Sequence, residues 1–123
     1  MLLKDFYKIN SLEKTDAQKY VAQIVINKDH DVFKGHFPGN PVTPGVCMMQ
    51  IIKELTQQVV NAPITMKSAS NIKFMALINP EVNPGLKLEL EISEGEDSNI
   101  KVKNTTFFDD TIALKLSCIY SKN

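Results

Sequence analysis

The sequence of 123 residues lacks most signals of a membrane protein, a nucleic-acid binder or a disulfide-rich fold. It has no tryptophan, and 14 basic residues balance 14 acidic ones, so no net charge attracts nucleic acid or an anionic membrane. No apolar run approaches the ~20 residues that span a bilayer, and Asp5 comes too early for a signal peptide. No histidine–cysteine spacing indicates a zinc site. Cys47 and Cys118 lie in apolar patterns, which favours reduced, buried thiols and a cytoplasmic location.

The first half of the chain predicts a strand followed by a buried helix. Residues 19–27 are rich in β-formers and indicate a strand, whereas residues 6–9 are compatible with a short strand or a helical turn. Residues 44–60 predict a helix with Thr43 as N-cap and Pro44 at the first position. Apolar residues, among them Val46, cover most of its circumference, so we expect the helix to be buried.

The second half predicts about four antiparallel strands. They are expected at residues 70–78, 86–93, 100–108 and 112–120, with turns at 94–97 and 109–110. The whole chain, 1–123, fits one α+β domain in which a curved sheet wraps around one helix. Such a sheet covers one side of the helix only, so we expect a dimer.

A segment rich in proline and glycine precedes the helix. Residues 35–46 contain three prolines and three glycines around a single histidine, His36. Because proline fixes φ and glycine permits unusual backbone conformations, the segment predicts a rigid, specifically shaped loop. Two interpretations are open, a reaction site that presents His36 and a structural loop with an incidental histidine. His30, which lies between two aspartates, is expected on the surface.

The segment from His36 to Val46 resembles the active-site motif of the hotdog-fold 3-hydroxyacyl-carrier-protein dehydratases. The similarity extends to residues 71–74 and 83–85, which resemble the strand and the proline–glycine turn of that family. The resemblance implies a hotdog fold, with a curved antiparallel sheet around one long central helix. It also implies a homodimer with sites at the subunit interface, and it leaves open a trimer of dimers. No metal or organic cofactor is implied.

The resemblance assigns His36 as the general base and points to Gln50 and Glu54 as the opposing pair. The family has a carboxylate fourteen residues after its histidine, on the other subunit, but this chain has Gln50 there. Eighteen residues after its histidine the family often has glutamine, and this chain has Glu54. Since residues i and i+4 are neighbours on a helix, Glu54 is either a displaced acid or an ordinary exposed charge.

Substrate contacts are expected around the start of the helix. The backbone N–H groups of Gly45 and Val46 are predicted to bind a thioester carbonyl. A glycine at 45 either admits the substrate or allows tight packing of the loop. Phe37 and Val42 are candidates for an acyl tunnel, while Met48, Met49 and Cys47 are interpreted as packing residues. Four lysines offer contacts to an acidic carrier protein, namely Lys34, Lys53, Lys67 and Lys73.

Three functions fit these residues. The leading one is a hydro-lyase that converts (3R)-3-hydroxyacyl thioesters of acyl carrier protein or CoA to trans-2-enoyl thioesters, as in fatty-acid synthesis. The second is a non-catalytic hotdog subunit that binds an acyl carrier, which Gln50 favours because an amide cannot act as a general acid. The third is an acyl thioesterase of the same fold, in which Gln50 positions a water for Glu54.

Overall fold

The computed structural model describes residues 5–35 and 41–123, which form two helices and six strands. A short 3₁₀ turn at Glu96–Ser98 joins the fourth and fifth strands. The elements in chain order are β1 Tyr7–Asp16, β2 Lys19–Ile26, α1 Val32–Gly35, α2 Gly45–Val60, β3 Ile64–Phe74, β4 Gly85–Glu94, β5 Asn99–Phe108 and β6 Thr111–Lys122.

The six strands form one antiparallel sheet in the order β1-β2-β4-β5-β6-β3. Register shifts interrupt both edge strands, between Ile9 and Ser11 in β1 and between Met66 and Ser68 in β3. Bulges of this kind bend a strand and increase its twist, so the sheet curves. The predicted arrangement of a curved antiparallel sheet with one long helix is confirmed.

Helix α2 packs its apolar side against the inward side chains of the sheet. In β4 the leucines at 86, 88 and 90 are buried while Glu89 and Glu91 are exposed, as their alternation predicts. Each fully buried leucine or isoleucine contributes roughly 1.5–3 kcal/mol through removal of apolar surface from water. The buried residues of α2 are Cys47, Met48, Ile51, Ile52, Leu55 and Thr56.

The start of α2 differs from the prediction. The helix begins at Gly45, and its N-cap is Pro44 in an extended conformation, without a side-chain cap. Thr43 is not the cap because its hydroxyl is buried without a hydrogen bond and so accepts none from the helix, while its N–H donates to the Ile78 carbonyl at 2.9 Å. Val46 is 68% exposed, so the apolar circumference of the helix is not buried everywhere.

Two strands also differ from their predicted bounds. Of the undecided segment at residues 6–9, Phe6 lies in a turn and residues 7–9 begin β1, a ten-residue strand. Strand β3 begins at Ile64 and ends at Phe74, whereas the prediction was 70–78. As an edge strand that is mostly exposed, β3 lacks the alternating burial that reveals the other strands in the sequence. No helix among the described residues is long and apolar enough to cross a membrane.

Candidate functional site

The predicted base His36 and the predicted tunnel residue Phe37 lie outside the described residues. Described residues before and after these two positions make contacts with the core of the protein. Before them, the ring of Phe33 in α1 stacks on the ring of Phe6, with centroids 5.5 Å apart. After them, the N–H of Thr43 donates to Ile78. The described residues that flank the motif segment are therefore anchored on both sides.

His30 is not the surface residue that its neighbours suggest. It is half-buried, and its ring meets the ring of Phe6 edge-on, with centroids 5.1 Å apart. Its Nδ1 accepts a hydrogen bond from the Val32 N–H at 3.1 Å, where α1 begins. An aromatic contact across the fold, which local charge cannot reveal, draws this imidazole inward. His30 thus stabilises the start of α1.

The start of α2 presents two N–H groups that have no acceptor among the residues that the structure describes. The N–H groups of Cys47 and Met48 donate to the carbonyl of Pro44 at 3.0 and 3.2 Å. The N–H groups of Gly45 and Val46 donate to no acceptor within residues 5–35 and 41–123. The first N–H groups of a helix lack intrahelical acceptors and carry partial positive charge. This pair is therefore suited to an oxygen that gains negative charge.

Gly45 lies against the ring of Phe74 at the end of β3. A Cβ atom at position 45 would lie 2.6 Å from Cζ of Phe74, closer than such atoms approach in proteins. The glycine is therefore explained by tight packing, although the partner is a strand residue rather than the motif loop. Phe74 is 58% exposed, so this contact lies near the protein surface.

An apolar groove of about 390 Å³ runs from the start of α2 along the segment after β3. Val42 lines this groove, whereas Met48 is buried in the core and Met49 is half-buried, and the acyl tunnel remains a prediction. Exposed apolar groups concentrated in one place are typical of a binding or subunit surface. The exposed apolar side chains of the groove are Phe74, Met75 and Leu77.

Gln50 and Glu54 form a hydrogen-bonded pair on α2. Nε2 of Gln50 donates to Oε2 of Glu54 at 2.9 Å, and both side chains are half-buried. Four residues span roughly 6 Å of helix, and helical side chains lean toward the N-terminus, so Glu54 reaches back to Gln50. The interpretation of Glu54 as an ordinary exposed charge is therefore wrong, because its carboxylate is held at position 50.

Tyr7 is the third member of this cluster, and the sequence interpretation missed it. Its hydroxyl donates to Oε1 of Glu54 at 2.8 Å, across 47 residues of sequence. No local pattern around Tyr7 signals the contact, because it depends on how β1 lies beside α2. Each carboxylate oxygen of Glu54 therefore accepts one hydrogen bond, from Tyr7 or from Gln50.

Two pKa values near the site are shifted by the environment. Burial raises the pKa of Tyr7 far above its ordinary value, and the hydrogen bond to Glu54 and the charge of Glu54 raise it further. Tyr7 therefore stays a protonated donor near neutral pH. Burial also raises the pKa of the Cys47 thiol, which disfavours the thiolate that a nucleophile requires. The described residues contain no group of three or more side chains suited to holding a metal ion.

Comparisons with known proteins find dehydratases in sequence and in structure. The model of the ApeI-like family, described as ApeI dehydratase, matches residues 12–113. The chain is similar to the 3-hydroxyacyl-[acyl-carrier-protein] dehydratase FabZ of Lactobacillus helveticus, with 27% identity over 91% of this chain and 82% of that protein.

The solved structures that resemble the chain share its fold. The dehydratase heterocomplex ApeI:P of Xenorhabdus doucetiae matches with a TM-score of 0.69 and 21% identity, over 94% of this chain and 97% of that one. A thioesterase of Pseudomonas aeruginosa matches with a TM-score of 0.63 and 7% identity, over 91% of this chain and 78% of that one. At such identities the likeness establishes the hotdog fold, which confirms the predicted fold class, and it leaves the reaction open.

Proposed function

The chain belongs to the ApeI-like family of dehydratases, and from this we propose that it removes water from (3R)-3-hydroxyacyl thioesters to give trans-2-enoyl thioesters. The observation that carries the proposal is the carboxylate of Glu54, held within hydrogen-bond distance of position 50. The chain lacks an acid at position 50 itself, and Glu54 supplies a carboxyl group beside it. Dehydration needs an acid within reach of the departing hydroxyl, directly or through one water.

The proposed reaction divides the work between two proton carriers. His36 takes the proton from C2 of the substrate, and the electron pair of that bond forms the C2–C3 double bond. The C3–O bond breaks, and the hydroxyl leaves as water with a proton from Glu54 in its protonated, carboxylic acid form, while Gln50 holds the hydroxyl by hydrogen bonds. After product release Glu54 takes up a proton from solvent and His36 gives one up, which restores the starting state. The N–H groups of Gly45 and Val46 stabilise the thioester oxygen, which gains negative charge as the C2 proton leaves.

The proposal is tested by incubating the purified protein with a 3-hydroxyacyl thioester and measuring the enoyl product by absorbance and mass spectrometry. His36→Ala is expected to abolish turnover. The chain has two histidines, so His30→Gln is a matched control that keeps a hydrogen-bond acceptor beside Val32. Turnover by the His36 variant at the wild-type rate would remove this residue from the mechanism.

Glu54 is tested separately as the acid. Glu54→Gln keeps the size of the side chain but cannot donate a proton, so we expect turnover to fall by a factor of about 100 or more. Glu89→Gln makes the same chemical change at an exposed position on β4 and is expected to leave turnover unchanged. An unaltered rate in the Glu54 variant would exclude the displaced-acid mechanism.

We also propose that two copies of the chain complete each site, with His36 from one protomer facing Gln50 and Glu54 of the other. The exposed apolar groove and the unpaired edge of β3 support a second copy. Mixing His36→Ala with Glu54→Gln protein tests this arrangement. Random mixed dimers hold one intact site each, so an equal mixture should recover about a quarter of wild-type turnover. No recovery after demonstrated subunit exchange would contradict a shared site.

An acyl carrier protein is the proposed carrier of the substrate. Lys73 lies opposite Lys115 in the β3–β6 register, one residue before Phe74, and both lysines are exposed. Paired positive charges favour an acidic partner, and the attraction weakens as salt rises. Lys73→Glu is expected to raise KM for carrier-bound substrate but not for the CoA thioester, whereas Lys8→Glu on β1 should change neither. Equal effects on both substrates would contradict carrier docking here.

A non-catalytic subunit is the second candidate, favoured by the amide at position 50. The solved dehydratase heterocomplex shows that a protein of this fold can work with a partner. In that case the wild-type protein alone has no turnover, and Gln50→Glu restores it. Gln23→Glu adds the same charge at an exposed position of β2 and serves as control. Release of free thiol instead of enoyl product would identify the third candidate, a thioesterase.

A further inference from the structure

We propose that Tyr7 is a positioning residue that holds the Glu54 carboxylate against Gln50. The inference rests on the proposed dehydration, in which Glu54 supplies the proton for the departing hydroxyl. Tyr7 does not contact the reacting atoms in this scheme and acts through Glu54.

The carboxylate of Glu54 is held by one donor on each oxygen. Oε1 accepts from the Tyr7 hydroxyl at 2.8 Å, and Oε2 accepts from Nε2 of Gln50 at 2.9 Å. A glutamate side chain has three rotatable bonds, and a single hydrogen bond leaves several of its conformations accessible. Two bonds to different oxygens restrict the side chain to one arrangement.

The same arrangement orients Gln50. Because its Nε2 donates to Glu54, the amide turns its Oε1 away from that carboxylate. Within the described part of the chain, this Oε1 accepts no hydrogen bond. A glutamine amide has two N–H donors and one oxygen acceptor. Gln50 therefore retains its acceptor and one donor for a substrate hydroxyl or a water.

The hydroxyl of Tyr7 is fixed by the residue before it and by the sheet. Phe6 is fully buried, stacks on Phe33, and accepts the N–H of Asn27 at its carbonyl at 2.8 Å. Tyr7 itself pairs in register with Ile26 of β2. The donor to Glu54 thus comes from the rigid start of β1 and is independent of α2. Through Phe33, the same start of β1 also contacts the helix that leads into the His36 segment.

Loss of the hydroxyl should change the rate more than substrate binding. In Tyr7→Phe, Glu54 keeps only the bond to Gln50 and can turn toward solvent. A displacement of ~1 Å at a reacting group can cost about 100-fold in rate. We expect kcat to fall about 10-fold to 100-fold, with KM changed less than about twofold because Tyr7 binds no substrate.

Kinetics in two backgrounds separates positioning from a structural role. Tyr20→Phe removes a hydroxyl from the neighbouring strand β2 and should leave kcat unchanged. Tyr7→Phe should lower kcat in the wild-type protein but have no further effect in the Glu54→Gln background, because its action passes through that carboxylate. An equal fall in both backgrounds would overturn the proposal.

A second measurement does not depend on turnover or on the folding of the Tyr7 variant. Protein labelled with ¹³C at tyrosine Cζ reports ionisation of each tyrosine by NMR in alkaline solution. In Glu54→Gln, Tyr7 is expected to ionise at a lower pH than in the wild type, since the charge of Glu54 is gone. If Tyr7 ionises at the same pH in Glu54→Gln as in the wild type, the positioning role of Tyr7 is overturned and the proposed dehydration is not. If the ionisation of Tyr7 does depend on Glu54 but the wild-type protein shows no turnover, the proposed dehydration is overturned instead.

Discussion

The substitution Gln50→Glu places two carboxyl groups where the structure has an amide and a carboxylate in contact. Nε2 of Gln50 and Oε2 of Glu54 are 2.9 Å apart in the wild-type protein, and both side chains are half-buried. The substitution replaces a donor by an acceptor, so the hydrogen bond becomes a repulsion between like charges. The size of that repulsion decides the protonation of the pair.

Two unit charges about 4 Å apart repel by about 4 kcal/mol at an effective dielectric constant of about 20. Keeping a proton at pH 7 on an ordinary glutamate, with a pKa of about 4.3, costs about 3.7 kcal/mol. Because the two energies nearly balance, the pair in the folded variant should take up about one proton near neutral pH. The unfolded chain, in which the two groups are far apart, releases that proton at much lower pH.

The stability of the variant should therefore fall as pH rises. Between about pH 4 and pH 7 the folded state of the variant binds more protons than the unfolded state. Its free energy of unfolding therefore decreases as pH rises. We expect the Gln50→Glu variant to be less stable than the wild type by about 1 kcal/mol at pH 5 and by about 3–4 kcal/mol at pH 8. Urea denaturation at the two pH values measures both differences.

Gln23→Glu is the matched control, because it adds one carboxylate at an exposed position of β2 and not beside Glu54 on the helix. Its stability relative to the wild type should change by less than about 0.5 kcal/mol between pH 5 and pH 8. If the Gln50→Glu variant is instead less stable than the wild type by the same amount at pH 5 and at pH 8, the two side chains do not share a proton. The described contact between Gln50 and Glu54 would then be refuted.

Three other predictions are tested by urea denaturation. Thr43→Val should raise the free energy of unfolding by about 1 kcal/mol, because the buried hydroxyl makes no hydrogen bond; a loss of stability would indicate an unseen partner. Leu55→Ala should lower the free energy of unfolding by about 2–5 kcal/mol because Leu55 is buried, whereas Val46→Ala should change it by less than about 0.5 kcal/mol because Val46 is exposed. Equal effects of the two substitutions would contradict this difference in burial. Gly45→Ala should destabilise the wild type through its overlap with Phe74 but not a Phe74→Ala protein, and equal losses would exclude that overlap.

The sequence predicted the central part of the fold because its patterns are local. Alternation in β4 identified a strand with one buried face, and the apolar run before Asn61 identified α2. Strand β3 was misplaced because an edge strand with few buried residues leaves no such pattern. That residues 1–123 form a single domain and that two copies assemble remain predictions.

The candidate site was predictable only in its helical part. The spacing of Gln50 and Glu54 places them on one helix face, and their contact follows from helix geometry. The role of Gly45 was left between two explanations, and only the position of the Phe74 ring decided in favour of packing. The inward position of His30 against Phe6 was likewise invisible in the acidic residues beside it.

The amino-acid sequence by itself determined the helix, the strands with alternating burial, the family motif and the amide–carboxylate pair, since each depends on residues that are neighbours along the chain. Only the tertiary structure decided that Tyr7 reaches Glu54, 47 residues away, and that both oxygens of the carboxylate are occupied. The physical reason is that a hydrogen bond between side chains requires about 3 Å of separation. For residues so distant in sequence, that separation is set by the packing of β1 beside α2.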